Sequence, residues 1–210
     1  MDRGNIIATC RQYSMISTER FNNNIDSVLH IESKNIPGDI VEIGVWKGGS
    51  ILSMMLAHER VPHMHRKFHL YDTFEGMTPA TALDVDHNNN DAEKLMLREP
   101  FIRCISSLDE VKANISRHTL IEPNYIVGDI LKNTFYPDTI AILRLDTDWY
   151  ESTKFELDHF YDKVVNGGFI IIDDYGHWKG CKKAVDEFLE KYPEIKIHQI
   201  DYTGIYFIKP

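Results

Sequence analysis

The sequence predicts an α/β fold: a Rossmann-like, seven-stranded, mostly parallel sheet that ends in a C-terminal antiparallel hairpin. Two observations lead there. Short apolar runs rich in β-branched residues recur along the 210 residues, separated by helix-length segments, as in βα units whose strands are covered on both faces. The last two runs, IKIHQID (195–201) and GIYFIKP (204–210), are separated only by Tyr202–Thr203. That gap is too short for a crossover, so these two must pair antiparallel. The length suits one sizeable core rather than two.

In chain order, residues 6–35 read as helical, with Phe21, Ile25, Val28, Leu29 and Ile31 as an apolar stripe that either caps the sheet or meets a second subunit. Pro37–Gly38 punctuates the approach to the first strand, DIVEIG (39–44). This divides an N-terminal helical segment, 1–36, from a single domain, 37–210. The next strands are KFHLYD (67–72), NYIVGD (124–129), IAILRLD (140–146) and FIIID (169–173), the last reached through a helix over Tyr150 to Val165 and a turn at Asn166–Gly167–Gly168. One connection breaks the rhythm: MTPATALDVDHNNNDAEKLMLREP (77–100) is polar, Asn-rich and long. Connections of that length are lids or disordered segments, and a mobile lid-like insertion is the expectation.

A formal charge of −9 and the lack of a Lys/Arg cluster argue against a nucleic-acid partner. Cys10, Cys104 and Cys181 are odd in number and widely spaced, which gives neither a disulfide framework nor a metal knuckle. The N-terminus has no apolar leader and no stretch approaches a membrane span, so a cytoplasmic protein without membrane association is expected.

Ligands of open α/β sheets sit outside the carboxyl ends of the strands, which makes strand-end residues informative. The first strand runs into EIGVWKGGS, with Gly44, Gly48 and Gly49 at the turn and Ser50 opening a helix. Glycines there let backbone approach a cofactor. The spacing is not G-x-G-x-x-G, and Glu42 would be awkward beside a diphosphate. Asp72 ends the second strand where an acid takes ribose hydroxyls; the alternative is an N-cap for the segment after it. Asp129, after Gly128, faces an adenine amino group or is a turn aspartate. Together these acids describe a nucleoside without a phosphate tail, S-adenosylmethionine rather than NAD.

Two adjacent carboxylates, Asp173 and Asp174, follow the apolar run Phe169 to Ile172, while Asp146 and Asp148 follow the preceding strand. If those strands are neighbours, Asp146, Asp173 and Asp174 converge. An all-oxygen set of that kind suits a hard ion such as Mg²⁺. The alternative is that one of the pair caps the next segment and the other pairs with Arg144 or a lysine.

The combination DIVEIGVWKGGS, LYDTFEGM, LRLDTDWYEST and GGFIIIDDYG, followed by GCKKAVDEF, resembles the macrocin and mycinamicin-type sugar O-methyltransferases, metal-dependent members of the class I S-adenosylmethionine methyltransferases. The likeness covers roughly residues 36 to 190. It implies methyl transfer to a sugar hydroxyl with Mg²⁺ on Asp146, Asp173 and Asp174, a cofactor loop that includes Glu42 and Gly44, and Asp72 as the ribose acid. Asp148 is the expected general base, with Asp146 or His177 as alternatives. His177 and Trp178 could bond and stack on a sugar ring or form a packed surface turn. The expected acceptor is a vicinal diol on a small-molecule sugar, a nucleotide-activated deoxysugar or a glycoside, with the nucleotide-activated deoxysugar preferred to a bulky macrolide because the N-terminal segment is short, and the expected assembly a homodimer or larger. Two other readings compete: a catechol-type O-methyltransferase, whose members tend to present Asp-Asn where this chain has Asp173–Asp174, and a binding module without turnover.

Overall fold

The computed structural model describes residues 2–61 and 65–210. Seven strands form one sheet: β1 (Asp39–Ile43), β2 (Phe68–Asp72), β3 (Asn124–Val127), β4 (Ile140–Leu145), β5 (Val164–Ile172), β6 (His198–Gln199) and β7 (Ile205–Ile208), in the order β3-β2-β1-β4-β5-β7-β6. β1 pairs in parallel with both β2 and β4, and β4 with β5, while β7 runs antiparallel to β5 and β6. The strand order therefore reverses at β1 and β4, and the crevice beyond their carboxyl ends is the expected ligand position.

Alternating side chains divide the core in two. Ile40, Leu70, Ile142 and Ile171 face one way, against α1 (Arg3–Cys10), α2 (Thr18–Ser33), α3 (Gly49–His58) and α5 (Leu108–Ser116). Val41, Ile43, Leu143 and Ile172 face the other, against α4 (Ala92–Arg98), α6 (Tyr150–Phe160) and α7 (Lys179–Leu189). Full burial of such aliphatic side chains contributes about 1.5–3 kcal/mol each.

Three elements differ from the sequence reading. The N-terminal helical segment is two helices, because the chain leaves α1 through a tight turn at Arg11–Tyr13 and starts again where the Ser17 hydroxyl accepts from Arg20 N at 3.1 Å, a cap that stabilises a helix by about 1 kcal/mol. Phe21, Ile25, Val28 and Ile31 are fully buried in this chain's own core and the half-buried Leu29 packs against it, the core-packing alternative of the sequence reading. β5 begins at Val164, ahead of the glycines, and the helix before it ends at Phe160, because the β-branched Val164 and Val165 favour extended backbone. The 77–100 segment is an anchored wall: it contains α4, pairs Asp86 with Trp178, and places a fully buried Asp84 whose Oδ1 accepts from Tyr150 N at 2.8 Å. Its asparagines serve local turns, with Asn88 N and Asn90 N both donating to Asp86 Oδ1.

Candidate active site

Strand register assembles the site. Glu42 is level with Arg144, Arg144 with Ile171, and Leu145 with Ile172, so Asp146 and Asp173 are the next residues along adjacent strands. Asp173 N donates to Leu145 O at 3.0 Å and Asp146 N to Ile43 O at 2.8 Å. One carboxylate oxygen from each of Asp146, Asp173 and Asp174 lies within 4.8 Å of the others. Gly44, at φ +84°, makes this close approach possible: a Cβ there would lie 2.0 Å from the Asp146 carbonyl oxygen.

The acids stand at one wall of a cavity of about 540 Å³, a size that suits a small-molecule ligand. Gly44, Ser50, Asp72, Asp129, Asp148 and His177 also line it. Asp72 Oδ2 accepts from Val45 N at 2.6 Å and Trp46 N at 3.0 Å, and its Oδ1 from Phe74 N at 2.8 Å, which fixes the glycine loop against β2. Asp129 accepts from Leu131 N at 3.0 Å as a turn aspartate, yet remains on the cavity wall. Gly48 is the N-cap of α3, at φ +87°. Glu42 is not on the wall; it is fully buried beneath it and accepts from Arg144 Nη1 at 2.8 Å, so any effect it has on a ligand passes through its neighbours.

Positive charge compensates part of the acid cluster. Arg144, fully buried, donates to Glu42 Oε1, to Asp146 Oδ2 at 2.7 Å and to Asp173 Oδ1. Arg20 of α2 donates through Nη1 to Asp173 Oδ2 and through Nε to Asp201 Oδ2 at 2.8 Å. The pairing of one acid with Arg144 is thus realised at Asp173, and a second guanidinium joins it. Burial pushes Asp173 up to about 6 against the pull of Arg144, and Glu42 up to about 7 against the same guanidinium. Asp174 is raised well above the usual carboxylate range by burial and by Asp148, Asp146 and Asp173, and its buried Oδ2 has no hydrogen-bond partner. Asp148 is likewise raised by burial and by Asp146, while Trp178 Nε1 donates to it at 2.7 Å. Four aspartates against two guanidiniums leave negative charge over, with an orphaned oxygen pointing to where more positive charge belongs. This donor set fits a divalent ion.

The sequence profile of the Macrocin-O-methyltransferase (TylF) family matches residues 8–209. The chain belongs to that family. Similar proteins include the demethyldecarbamoylnovobiocin O-methyltransferase of Streptomyces niveus, 32% identical over 203 residues, covering 93% of this chain and 75% of the relative. The mycinamicin III 3''-O-methyltransferase of Micromonospora griseorubida is 30% identical over 202 residues, covering 93% and 78%. The solved structure of the O-methyltransferase NovP superposes with a TM-score of 0.79 at 30% identity, covering 94% of this chain and 82% of that one. That of CalS11, a calicheamicin methyltransferase, does so at 0.63 with 16% identity, covering 98% and 90%, a likeness of fold.

This TylF-family chain is therefore an enzyme of the S-adenosylmethionine-dependent O-methyltransferase class. Four of its site features escaped the sequence reading. Arg20 lies 153 residues from Asp173, and nothing local marks it. His87 of the insertion packs against His177, with ring centroids 5.3 Å apart, and His177 Nδ1 lies 2.7 Å from the Tyr202 hydroxyl. Thr147 donates to a buried Glu156 at 2.7 Å. Glu42 and Arg144 did carry a signal, since a charged residue inside each of two apolar strands predicts that they meet.

Proposed function

We propose that the enzyme transfers the methyl group of S-adenosylmethionine to a hydroxyl of a sugar vicinal diol, with Mg²⁺ held by Asp146, Asp173 and Asp174. The observation that carries this reading is the meeting of those carboxylates within 4.8 Å on the wall of the cavity at the sheet's switch point. The mycinamicin relative is named as a 3''-O-methyltransferase, and a second relative, from Streptomyces olivaceus and 30% identical, as a 4'-O-methyltransferase of a 2,3-dimethoxy-rhamnosyl tetracenomycin; both names support a sugar hydroxyl as acceptor, and the second leaves that hydroxyl without a free hydroxyl neighbour.

When bound, S-adenosylmethionine supplies an electrophilic methyl carbon on a sulfonium, and Mg²⁺ supplies a Lewis acid that lowers a hydroxyl pKa. The chain does the rest. Gly44 and Ser50 in the first turn of α3 would face the cofactor from the cavity wall, which Gly48 does not line, with Asp72 and Asp129 serving its ribose and adenine. Asp146, Asp173 and Asp174 would hold the ion, and fixing the acceptor hydroxyl beside them would supply much of the rate of an in-line displacement. Asp148, fixed by Trp178 and held at φ +68°, would accept the proton of the acceptor hydroxyl. His177 and Trp178 flank the acceptor.

The acceptor is a glycoside rather than a nucleotide sugar. Among the described residues lining the cavity, Arg20 is the one Lys or Arg, and it is paired with Asp173 and Asp201; a diphosphate would want free cations. Calorimetric titration of S-adenosylhomocysteine into metal-stripped protein, then of glycosides with and without Mg²⁺, tests the reading. Cofactor binding followed by Mg²⁺-dependent glycoside binding is expected; tight binding of nucleotide sugars in preference to glycosides would overturn the choice of acceptor.

A further inference from the structure

We infer that Arg20 is a built-in counter-cation for the metal site, one that leaves Asp173 when a divalent ion arrives and so couples metal loading to the N-terminal helix α2. The inference rests on the Mg²⁺ reading above. Both oxygens of Asp173 are engaged by guanidinium groups, Oδ1 by Arg144 and Oδ2 by Arg20. A dication on the same carboxylate would stand next to at least one of these positive charges, so one of them has to yield.

The surroundings decide which. Arg144 is fully buried and grips three carboxylates, those of Glu42, Asp146 and Asp173; displacing it would strand Glu42 in the core without its cation. Arg20 retains 15% of its side-chain exposure and lines the open cavity. Its Nε is tied separately to Asp201 Oδ2, which also accepts from the Ser17 hydroxyl at 2.6 Å, while Asp201 Oδ1 holds the Thr203 and Gly204 amides. When Nη1 releases Asp173, the Nε bond to Asp201 remains. Arg20 therefore pivots on a fixed anchor, stays ion-paired, and frees Asp173 Oδ2. Without metal it screens Asp173 from Asp146 and Asp174, which keeps the cluster from repelling itself apart.

Two measurements test this without reading turnover. In calorimetric titration with Mn²⁺, replacement of the guanidinium by a neutral side chain of similar length, Arg20→Met, is expected to tighten binding about tenfold, because the ion no longer competes with a like charge at contact distance. Arg20→Lys, which keeps the charge, should bind close to wild type. In the wild-type protein, the Arg20 Nη resonances, assigned by their loss in Arg20→Lys, should lose the signature of the bond to Asp173 on addition of Mg²⁺, while the Arg20 Nε–H, still bonded to Asp201, keeps its hydrogen bond. Metal binding with unchanged or weaker affinity in a folded Arg20→Met, or with unmoved Arg20 Nη resonances, would make Arg20 a fixed strut and overturn the exchange. No metal binding by wild type or variant would instead remove the Mg²⁺ reading beneath it.

Discussion

Asp174 is the residue on which metal and protein stability pull apart. Its buried Oδ2 lacks a partner and its carboxyl is held well above the usual range by burial and neighbouring acids, so in the metal-free protein it is an electrostatic liability. Asp174→Asn is expected to lower methyl transfer about 100-fold or more by removing a ligand, while leaving the unfolding free energy unchanged or raised by about 1 kcal/mol. Activity within twofold of wild type would show that Asp174 holds nothing. Glu156 offers a cleaner titration. Burial pushes it up to about 8 from 4.5, so the folded chain keeps a proton that the unfolded chain releases. That contribution is complete below pH 4.5 and is lost as pH rises through 8. Glu156→Gln keeps an acceptor for Thr147 and locks the neutral form; the loss of stability between pH 5 and 8 should shrink by about 3–4 kcal/mol in urea unfolding. An unchanged pH slope would mean that Glu156 ionises freely. Paired acids at a strand end were legible from sequence; their guanidinium partners were legible only in part, because Arg144 shares a strand with Asp146 whereas Arg20 comes from a helix far along the chain.

Elements were legible where one local rule decided them. Continuous apolar runs located the five parallel strands, and the two-residue gap at Tyr202–Thr203 located the hairpin. What failed was competition between rules: Val164 and Val165 could continue a helix or open a strand, and pairing with β4 settled it. The 77–100 segment looked structureless because its polar residues bond to tertiary partners invisible in a linear reading. Asp84 binds Tyr150 N, and Lys179 Nζ meets Asn89 Oδ1. Asp84→Ala should free this wall, raising limited proteolysis within 77–100 several-fold and weakening acceptor binding; wild-type resistance would mean that the other contacts suffice. At the opposite wall, a Cβ on Gly49 would lie 2.5 Å from Cys10 O and 2.6 Å from Tyr13 C. Gly49→Ala should therefore push the N-terminal segment off α3, at a cost of about 1–3 kcal/mol in thermal or urea unfolding, and an unaltered midpoint would contradict that packing.

At the scale of the whole molecule, the sheet's reversal at β1 and β4 creates the crevice, the register of β4 and β5 places the acids in it, and α2 adds one guanidinium to them from outside the sheet. Among the described residues no helix is long and apolar enough to cross a membrane. The central claim is that three strand-end aspartates hold a divalent ion on which methyl transfer depends. The most direct test is the initial rate of transfer from S-adenosylmethionine to a glycoside bearing a vicinal diol, measured on protein stripped with chelator and again after Mg²⁺ is restored. The account predicts a fall of about 100-fold or more on stripping, with recovery on Mg²⁺ addition. A stripped enzyme that methylates the glycoside at the undiminished rate would contradict it.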